Sequence, residues 1–66
     1  MKITLNGSSR EVPDKLSASE LILSLGLANR RLALEINREI VPRSTFESHI
    51  IQPDDRVEIV QAIGGG

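Results

Sequence analysis

The chain has 66 residues with 8 basic and 9 acidic residues interspersed, which indicates at most one domain and gives no basic stripe for binding nucleic acid. It has no cysteine and a single histidine, which excludes a disulfide framework, a zinc–thiolate site and a histidine-rich metal site. Neither an apolar run near the ~20 residues of a membrane span nor a signal peptide is present, so we expect a cytoplasmic chain without nucleic-acid or membrane partners.

The first predicted element is a β-hairpin. The first six residues alternate, with Ile3 and Leu5 on the same side, as in a half-buried strand. Asn6 and Gly7 then predict a tight turn, because both residues tolerate positive φ. Residues 8–12 are predicted to form the return strand.

A short helix with well-marked ends follows the hairpin. Ser17 lies three residues before Glu20, which is the spacing of a capping box, and Leu16 and Leu21 have the spacing of a hydrophobic staple. Gly26 is predicted to end the helix in a left-handed conformation. Since so short a helix is unstable alone, we expect it to pack on the sheet.

The second half of the chain predicts two further strands before the last one. Residues 32–37 alternate and predict the third strand. Residues 38–39 are predicted to turn, and residues 40–41 to form a brief edge strand that Pro42 ends.

A covering turn and a last strand complete the predicted core. Phe46 and Ile50 are four residues apart and predict a helical turn over the core. Residues 56–63 alternate and predict the last strand, with Val57 and Ile59 facing inward.

The predicted element order is therefore β-β-α-β-β-turn-β. We expect an α+β fold with a mixed sheet of four to five strands and one main helix packed on one face. With the first and last strands parallel and adjacent at the centre, this is the ubiquitin-like β-grasp arrangement. Residues 1–63 would form this domain, and residues 64–66 a flexible glycine tail.

Folding does not explain the three final glycines, Gly64, Gly65 and Gly66. A frayed end is one interpretation. The other is chemical: a tail without Cβ atoms can thread a narrow channel and bring a carboxylate to another protein's catalytic groups. A carboxylate is ionised at neutral pH and is a poor electrophile. It would need activation, for example as a mixed anhydride with AMP, before a sulfur nucleophile could attack it.

The chain itself lacks the residues for such activation. It has no G-x-x-x-x-G-K-[ST] loop for a nucleotide and no plausible Ser/His/Asp set. We therefore expect a protein substrate of an ATP-using partner, not an enzyme, with no catalytic residue, metal or cofactor of its own.

The sequence resembles the ThiS family over essentially its whole length. The segments that carry the resemblance are residues 33–37, the pattern N-x-x-I-V-P-R at Asn37–Arg43, the Asp54-Asp55 turn, residues 56–62 and the final Gly65-Gly66. Ubiquitin-like modifiers share a terminal Gly-Gly, so its combination with the Asn37–Arg43 pattern is what makes the resemblance specific.

This resemblance implies a sulfur carrier of thiamine biosynthesis. Gly66 would be adenylated by a ThiF-type adenylyltransferase, which uses ATP, and then converted to a thiocarboxylate. Gly64 and Gly65 would thread the partner's active site. A sulfur-donating enzyme would supply the sulfur, and a thiazole synthase of the ThiG type would receive it to form the thiazole.

The last strand also predicts a docking surface. Because side chains alternate between the two faces of a sheet, Glu58, Val60 and Ala62 are predicted to face away from the helix. We expect them beside Lys2 and Thr4 of the first strand, as a partly apolar face that meets the partner enzymes.

Other polar residues have simpler interpretations. Arg30 and Arg31 are interpreted as the solvated end of a loop, and His49 as a surface loop residue. Pro42 and Arg43 are interpreted as a strand stop followed by a surface charge.

Three alternative functions stay open at this point. The small subunit of molybdopterin synthase also ends in Gly-Gly, although such chains tend to be longer and residues 37–43 favour the thiazole carrier. A ubiquitin-like tag would conjugate Gly66 to lysines. A binding module would carry an inert tail.

Overall fold

A computed structural model describes residues 1–61, which form a five-stranded mixed sheet and one α-helix. The elements are β1 (Lys2–Leu5), β2 (Ser8–Glu11), α1 (Ala18–Ser24), β3 (Leu32–Ile36), β4 (Glu39–Ile40), a 3-10 helix (Arg43–Thr45) and β5 (Arg56–Gln61). The predicted element order is confirmed. The predicted last two residues of the final strand and the 64–66 tail lie outside the described residues.

Strand β5 is last in sequence but central in the sheet, whose strand order is β2-β1-β5-β3-β4. It runs parallel to β1 and antiparallel to β3. The two remaining pairs, β1–β2 and β3–β4, are antiparallel hairpins. This confirms the predicted β-grasp arrangement, so strands from both halves of the chain hold the strand that leads to the tail.

The first hairpin turns where the sequence predicts. Asn6 has φ 48° and Gly7 has φ 85°, and the flanking residues Leu5 and Ser8 pair directly. Two-residue hairpin turns favour positive φ at both central positions, because the resulting backbone twist matches that of the strands.

The second hairpin turns one residue earlier than predicted. Asn37 and Arg38, with φ 53° and 70°, form the turn, and Glu39 is already in β4, paired with Ile36. The predicted turn at residues 38–39 is therefore wrong, and the edge strand is Glu39–Ile40. Asn37 supplies the left-handed residue that such a turn requires.

Helix α1 has the predicted start. The Ser17 hydroxyl accepts a hydrogen bond from the Glu20 backbone N–H at 3.0 Å, and the Glu20 carboxylate accepts one from the Ser17 N–H at 2.9 Å. Leu16 and Leu21 are both buried, as the staple requires. Two backbone donors that the helix cannot satisfy internally thus find partners.

The end of α1 is also as predicted. Gly26 has φ 73°, and its N–H donates to the Leu23 carbonyl while the Leu27 N–H donates to the Ile22 carbonyl. These two bonds form a Schellman motif, in which a left-handed residue lets the chain reverse over the last carbonyls of the helix.

We predict that Ser17→Ala lowers the free energy of unfolding by about 1 kcal/mol, because the Glu20 N–H loses its acceptor. Ser19→Ala is the matched control, since the Ser19 side chain makes no hydrogen bond among residues 1–61. Urea denaturation of both variants measures the difference. Equal midpoints for the two variants would contradict the role of the capping box.

The helix and the inner face of the sheet enclose the hydrophobic core. Its residues are Ile3, Val12, Leu16, Ala18, Leu21, Ile22, Leu34, Ile36, Val41, Phe46, Ile51, Val57 and Ile59.

No helix within residues 1–61 combines the length and apolarity needed to cross a membrane.

The segment that covers the core differs from the prediction by one residue. Phe46 is buried as predicted, but Ile50 is 43% exposed whereas Ile51 is 1% exposed. The chain here is extended: Ile50 forms a bridge with Ser17, and the Ile51 N–H donates to the Leu16 carbonyl. Successive side chains of an extended segment point in opposite directions, so Ile51 enters the core in place of Ile50.

Candidate functional site

The last described strand has the predicted register. Val57 and Ile59 are buried against the core, whereas Glu58 and Val60 point to the uncovered side of the sheet, where Val60 is 63% exposed. Ala62 and the three glycines lie outside the described residues, so their predicted roles are not tested by this geometry. The strand therefore carries an exposed carboxylate and an exposed apolar side chain just before the tail.

The neighbours of Val60 differ from the prediction. Pairing between β1 and β5 places Thr4 beside Arg56 and ends at Leu5 and Val57. Val60 therefore lies beyond the end of β1, away from Lys2 and Thr4, and its direct neighbour is Ala33 of β3. The first strand stops at the Asn6 turn, which is why it cannot reach further along β5.

The uncovered side of the sheet around Val60 is called the outer face here, and its residues are Ala33, Glu35, Ile40, Glu58 and Val60. Glu58 lies opposite Glu35, which lies opposite Ile40 on the edge strand. Two like charges directly opposite each other on a sheet are destabilising. The outer face thus combines an acidic row with exposed aliphatic side chains.

Asn6 holds β5 where β1 has ended. Its side-chain Oδ1 accepts from the Ile59 N–H at 2.8 Å, and its Nδ2 donates to the Ile59 carbonyl at 3.3 Å. Its own backbone N–H donates to the Val57 carbonyl. The amide side chain therefore continues the hydrogen-bond ladder for one more step. Sequence reasoning assigned Asn6 to the turn alone and missed this contact.

Asn37 holds the start of β5 in a comparable way. Its Oδ1 accepts from the Arg56 N–H at 3.0 Å, and its backbone N–H donates to the Arg56 carbonyl at 2.8 Å. Its Nδ2 donates to Asp55 Oδ1 at 3.0 Å, and Asp55 Oδ2 accepts from the Gln52 N–H. Asn37 is the first residue of the N-x-x-I-V-P-R pattern, so one part of that pattern positions the strand that precedes the tail.

An open cleft of about 390 Å³ lies where the end of β5 runs beside the start of β3. Its lining residues are Arg31, Leu32, Ala33, Arg43, Val60 and Gln61. We call it the arginine cleft. It is continuous with the outer face through Ala33 and Val60, and it carries two guanidinium groups and no carboxylate among its lining residues.

Arg43 is exposed, as predicted for a surface charge, but it also makes two contacts that the sequence did not predict. Its Nη2 donates to the Arg30 carbonyl at 3.0 Å, and its guanidinium carbon lies 5.9 Å from the centre of the Phe46 ring. These contacts restrain the side chain at the edge of the arginine cleft. Sequence reasoning missed this position because the strand, the loop and the 3-10 helix meet only in the folded chain.

The described residues supply no other cluster with evident chemistry. Within residues 1–61, no group of three or more His, Cys, Asp or Glu side chains is placed to hold a metal ion. His49 is half-buried, and its carbonyl accepts from the Ala18 N–H. The described residues provide a firmly held strand, an exposed outer face and a cationic cleft beside the end of β5.

Comparison with known proteins covers the whole sequence, including residues 62–66, which follow the described part of the chain. The chain is 38% identical to a thiazole synthase of Magnetococcus marinus over 66 residues, which are all of this chain and 20% of that protein. It is 33% identical to the sulfur carrier protein ThiS of Escherichia coli K12 over the full length of both. The chain thus spans about a fifth of the length of the thiazole synthases it matches and all of the E. coli protein.

Comparison with solved structures also finds similarity to a ThiS protein. The crystal structure of the thiamine biosynthesis protein ThiS from Geobacter metallireducens matches with a TM-score of 0.86 and 30% identity, over 100% of both chains. The sequence model of the ThiS family matches residues 3–66. The chain therefore belongs to the ThiS family.

Proposed function

We propose that this protein is a sulfur carrier of thiamine biosynthesis whose Gly66 carboxylate bears the sulfur. The observation that carries the proposal is the family match over residues 3–66, which includes the terminal glycines and accompanies a full-length fold match. Gly64 and Gly65 would thread the partner's active site, because residues without a Cβ pass where others are too wide. In this role the chain is a substrate of other enzymes and not a catalyst.

The chemistry takes two steps at the Gly66 carboxyl group: the first activates its oxygen, and the second replaces that oxygen by sulfur. The Gly66 carboxylate attacks the α-phosphorus of ATP, and pyrophosphate leaves with the electron pair of the broken P–O bond. A nucleophile at the oxidation level of hydrosulfide then adds to the acyl carbon. The C–O bond to AMP breaks, AMP leaves with its electron pair, and the thiocarboxylic acid loses a proton. The activation is needed because a free carboxylate anion is a poor electrophile.

The partners follow from this chemistry and from the relatives. An adenylyltransferase of the ThiF type would bind ATP and perform the first step, and a sulfur-donating enzyme would serve the second. A thiazole synthase of the ThiG type would accept the sulfur. Two relatives named thiazole synthase contain a segment similar to this entire chain, which supports a close working relation between carrier and synthase.

The outer face would place the tail in these partners. Gly66 is the fifth residue after Gln61, and five residues of extended chain span at most roughly 18 Å. An enzyme that grips Glu58 and Val60 on β5, with Ala62 just beyond, therefore confines the Gly66 carboxylate to a small volume. Holding the carboxylate close to the catalytic groups lowers the entropic cost of the reaction, and this is one of the larger contributions that a partner can make to the rate of adenylation.

Mass spectrometry of the protein purified from its own cells tests the proposal. Replacement of one carboxylate oxygen by sulfur, localised to Gly66 by fragmentation, is the expected result. Isopeptide adducts to lysine would instead indicate a ubiquitin-like tag, and an unmodified Gly66 under sulfur-replete conditions would indicate an inert tail. Transfer of the sulfur to a molybdopterin precursor in place of the thiazole would identify the molybdopterin-synthase subunit.

We predict that Val60→Lys weakens binding to the adenylating partner by about tenfold or more. Docking would take the new ammonium group out of water without a designed partner, and unpaired buried charges are costly. In the free protein the lysine stays solvated on the outer face, so the fold should persist. Calorimetric titration measures the affinity, with circular dichroism as the folding check.

Leu23→Lys is the matched control for this experiment. Leu23 is 67% exposed, close to the 63% of Val60, but it lies on α1, on the other side of the sheet. The control should bind as the wild type does. Equal affinities for the two variants would exclude the outer face as the docking surface.

A further inference from the structure

Two arginines line one cleft beside β5, and neither has a carboxylate partner among the described residues. Arg31 and Arg43 both line the arginine cleft together with Val60 and Ala33. Among residues 1–61 the ion pairs all involve the N-terminal amine, so neither guanidinium is neutralised by a described side chain. The lining of the cleft therefore combines two cationic side chains with the aliphatic side chains of Leu32, Ala33 and Val60.

Arg43 is prepared to bind a further group. A guanidinium has five N–H donors, and among the described residues only the Arg30 carbonyl accepts from Arg43. That bond and the nearby Phe46 ring restrain the side chain, so part of its conformational entropy is already lost before a ligand binds. A restrained guanidinium with unused donors is suited to a planar, bidentate acceptor such as a carboxylate.

We propose that the arginine cleft receives an aspartate or glutamate side chain of the adenylating partner, held between Arg31 and Arg43 while a neighbouring aliphatic group contacts Val60. This inference rests on the proposed function, since it names the contact by which that partner recognises the carrier. The partner's acid supplies the negative charge that the lining of the cleft lacks, and the aliphatic lining residues favour a protein side chain over a free, fully hydrated anion.

The position of the cleft explains why recognition would occur there. Arg43 closes the N-x-x-I-V-P-R pattern, whose first residue, Asn37, holds the start of β5. The same short segment thus positions the strand at one end and presents a cation near its other end. A carboxylate bound in the cleft would fix the strand just before the tail, whereas adenylation would take place five residues beyond Gln61.

Charge reversal at Arg31 tests the inference without disturbing the contact between Arg43 and Arg30. Arg31→Glu should weaken binding to the adenylating partner about tenfold or more, because attraction becomes repulsion at a close charge pair. The loss should shrink at ionic strengths well above 0.15 M, where the Debye length is below about 8 Å. Arg31→Lys, which keeps the charge, should retain most of the affinity.

Arg10→Glu is the matched control. It makes the same change in net charge at an exposed residue of β2, the opposite edge of the sheet from β3. If Arg31→Glu and Arg10→Glu bind equally, the effect is one of overall charge and the inference is wrong. Chemical-shift changes at Arg31 and Arg43 on titration with inorganic phosphate alone would also overturn it, by reassigning the cleft to a phosphate group.

Adenylation kinetics separate this inference from the proposed function. Arg31→Glu should raise KM for the carrier while kcat stays near the wild-type value, because the reacting carboxylate is unchanged. Wild-type KM together with wild-type affinity in Arg31→Glu would refute the role of the cleft and leave the carrier function intact. Failure of the wild-type protein to be adenylated at all would refute both.

Discussion

Removal of Gly66 should reduce adenylation by at least about 100-fold while the domain stays folded. The shortened chain still ends in a glycine carboxylate, but that group lies one residue, roughly 3.5 Å, short of its proper place. A misplacement of 1 Å can already cost on the order of 100-fold in rate. ATP–pyrophosphate exchange with the adenylating partner measures the first chemical step directly.

The folding control for this deletion is thermal unfolding. All core residues of the described chain lie between Ile3 and Ile59, so the midpoint should equal that of the wild type. Gly66→Ala provides a second comparison, since it keeps the chain length and adds only a Cβ beside the reacting carboxylate. Full exchange activity in the deletion variant would contradict the carrier function.

The largest expected effect on stability comes from Leu21→Ala. Leu21 is 0% exposed, forms the hydrophobic staple with Leu16 and anchors α1 in the core. Loss of a buried leucine side chain typically costs about 2–5 kcal/mol. A chain of this size has a total stability of roughly 3–10 kcal/mol, so much of the variant should be unfolded near physiological temperature.

Leu23→Ala isolates the packing contribution from the change in helix propensity. It is the same substitution two residues further along α1, at a side chain that is 67% exposed. Its free energy of unfolding should stay within about 0.5 kcal/mol of the wild type. Equal denaturant midpoints for the two variants would show that Leu21 does not anchor the helix.

The sequence predicted those parts of the fold that local rules govern. The capping box of Ser17 and Glu20, the left-handed Gly26 and the Asn6–Gly7 turn each depend on interactions within a few residues, and each was confirmed. Alternation also predicted which side chains of β5 face the core, because a strand has a period of two wherever it lies in a sheet.

The sequence predictions were wrong where tertiary contacts determine which of two adjacent residues is buried or forms a turn. Ile50 and Ile51 are both large and apolar, and only the bridge to Ser17 makes Ile51 the buried one. Asn37 and Arg38 form a turn without glycine, which gives a weak local signal. In the folded chain Asn37 also makes hydrogen bonds to β5. These bonds join residues far apart in sequence, so no local sequence pattern predicts them.

The sequence predicted the position of the candidate docking surface only in part. Exposure of Glu58 and Val60 followed from alternation, but the neighbours of Val60 did not, because the point where β1 stops pairing is a property of the sheet. The arginine cleft could not be predicted at all. The Arg30 carbonyl and the Phe46 ring hold the Arg43 side chain at the cleft. Arg30 and Arg43 lie near each other only in the folded chain.

The central position of β5 has a consequence for the chain as it is synthesised. Its pairings with β1 and β3 are what join the two hairpins into one sheet, and Arg56–Gln61 is translated after every other element. The nascent chain therefore cannot complete its sheet until these residues have left the ribosomal exit tunnel. Translation products that stop before Arg56 lack the connecting strand and leave apolar surface exposed, which makes them prone to aggregation.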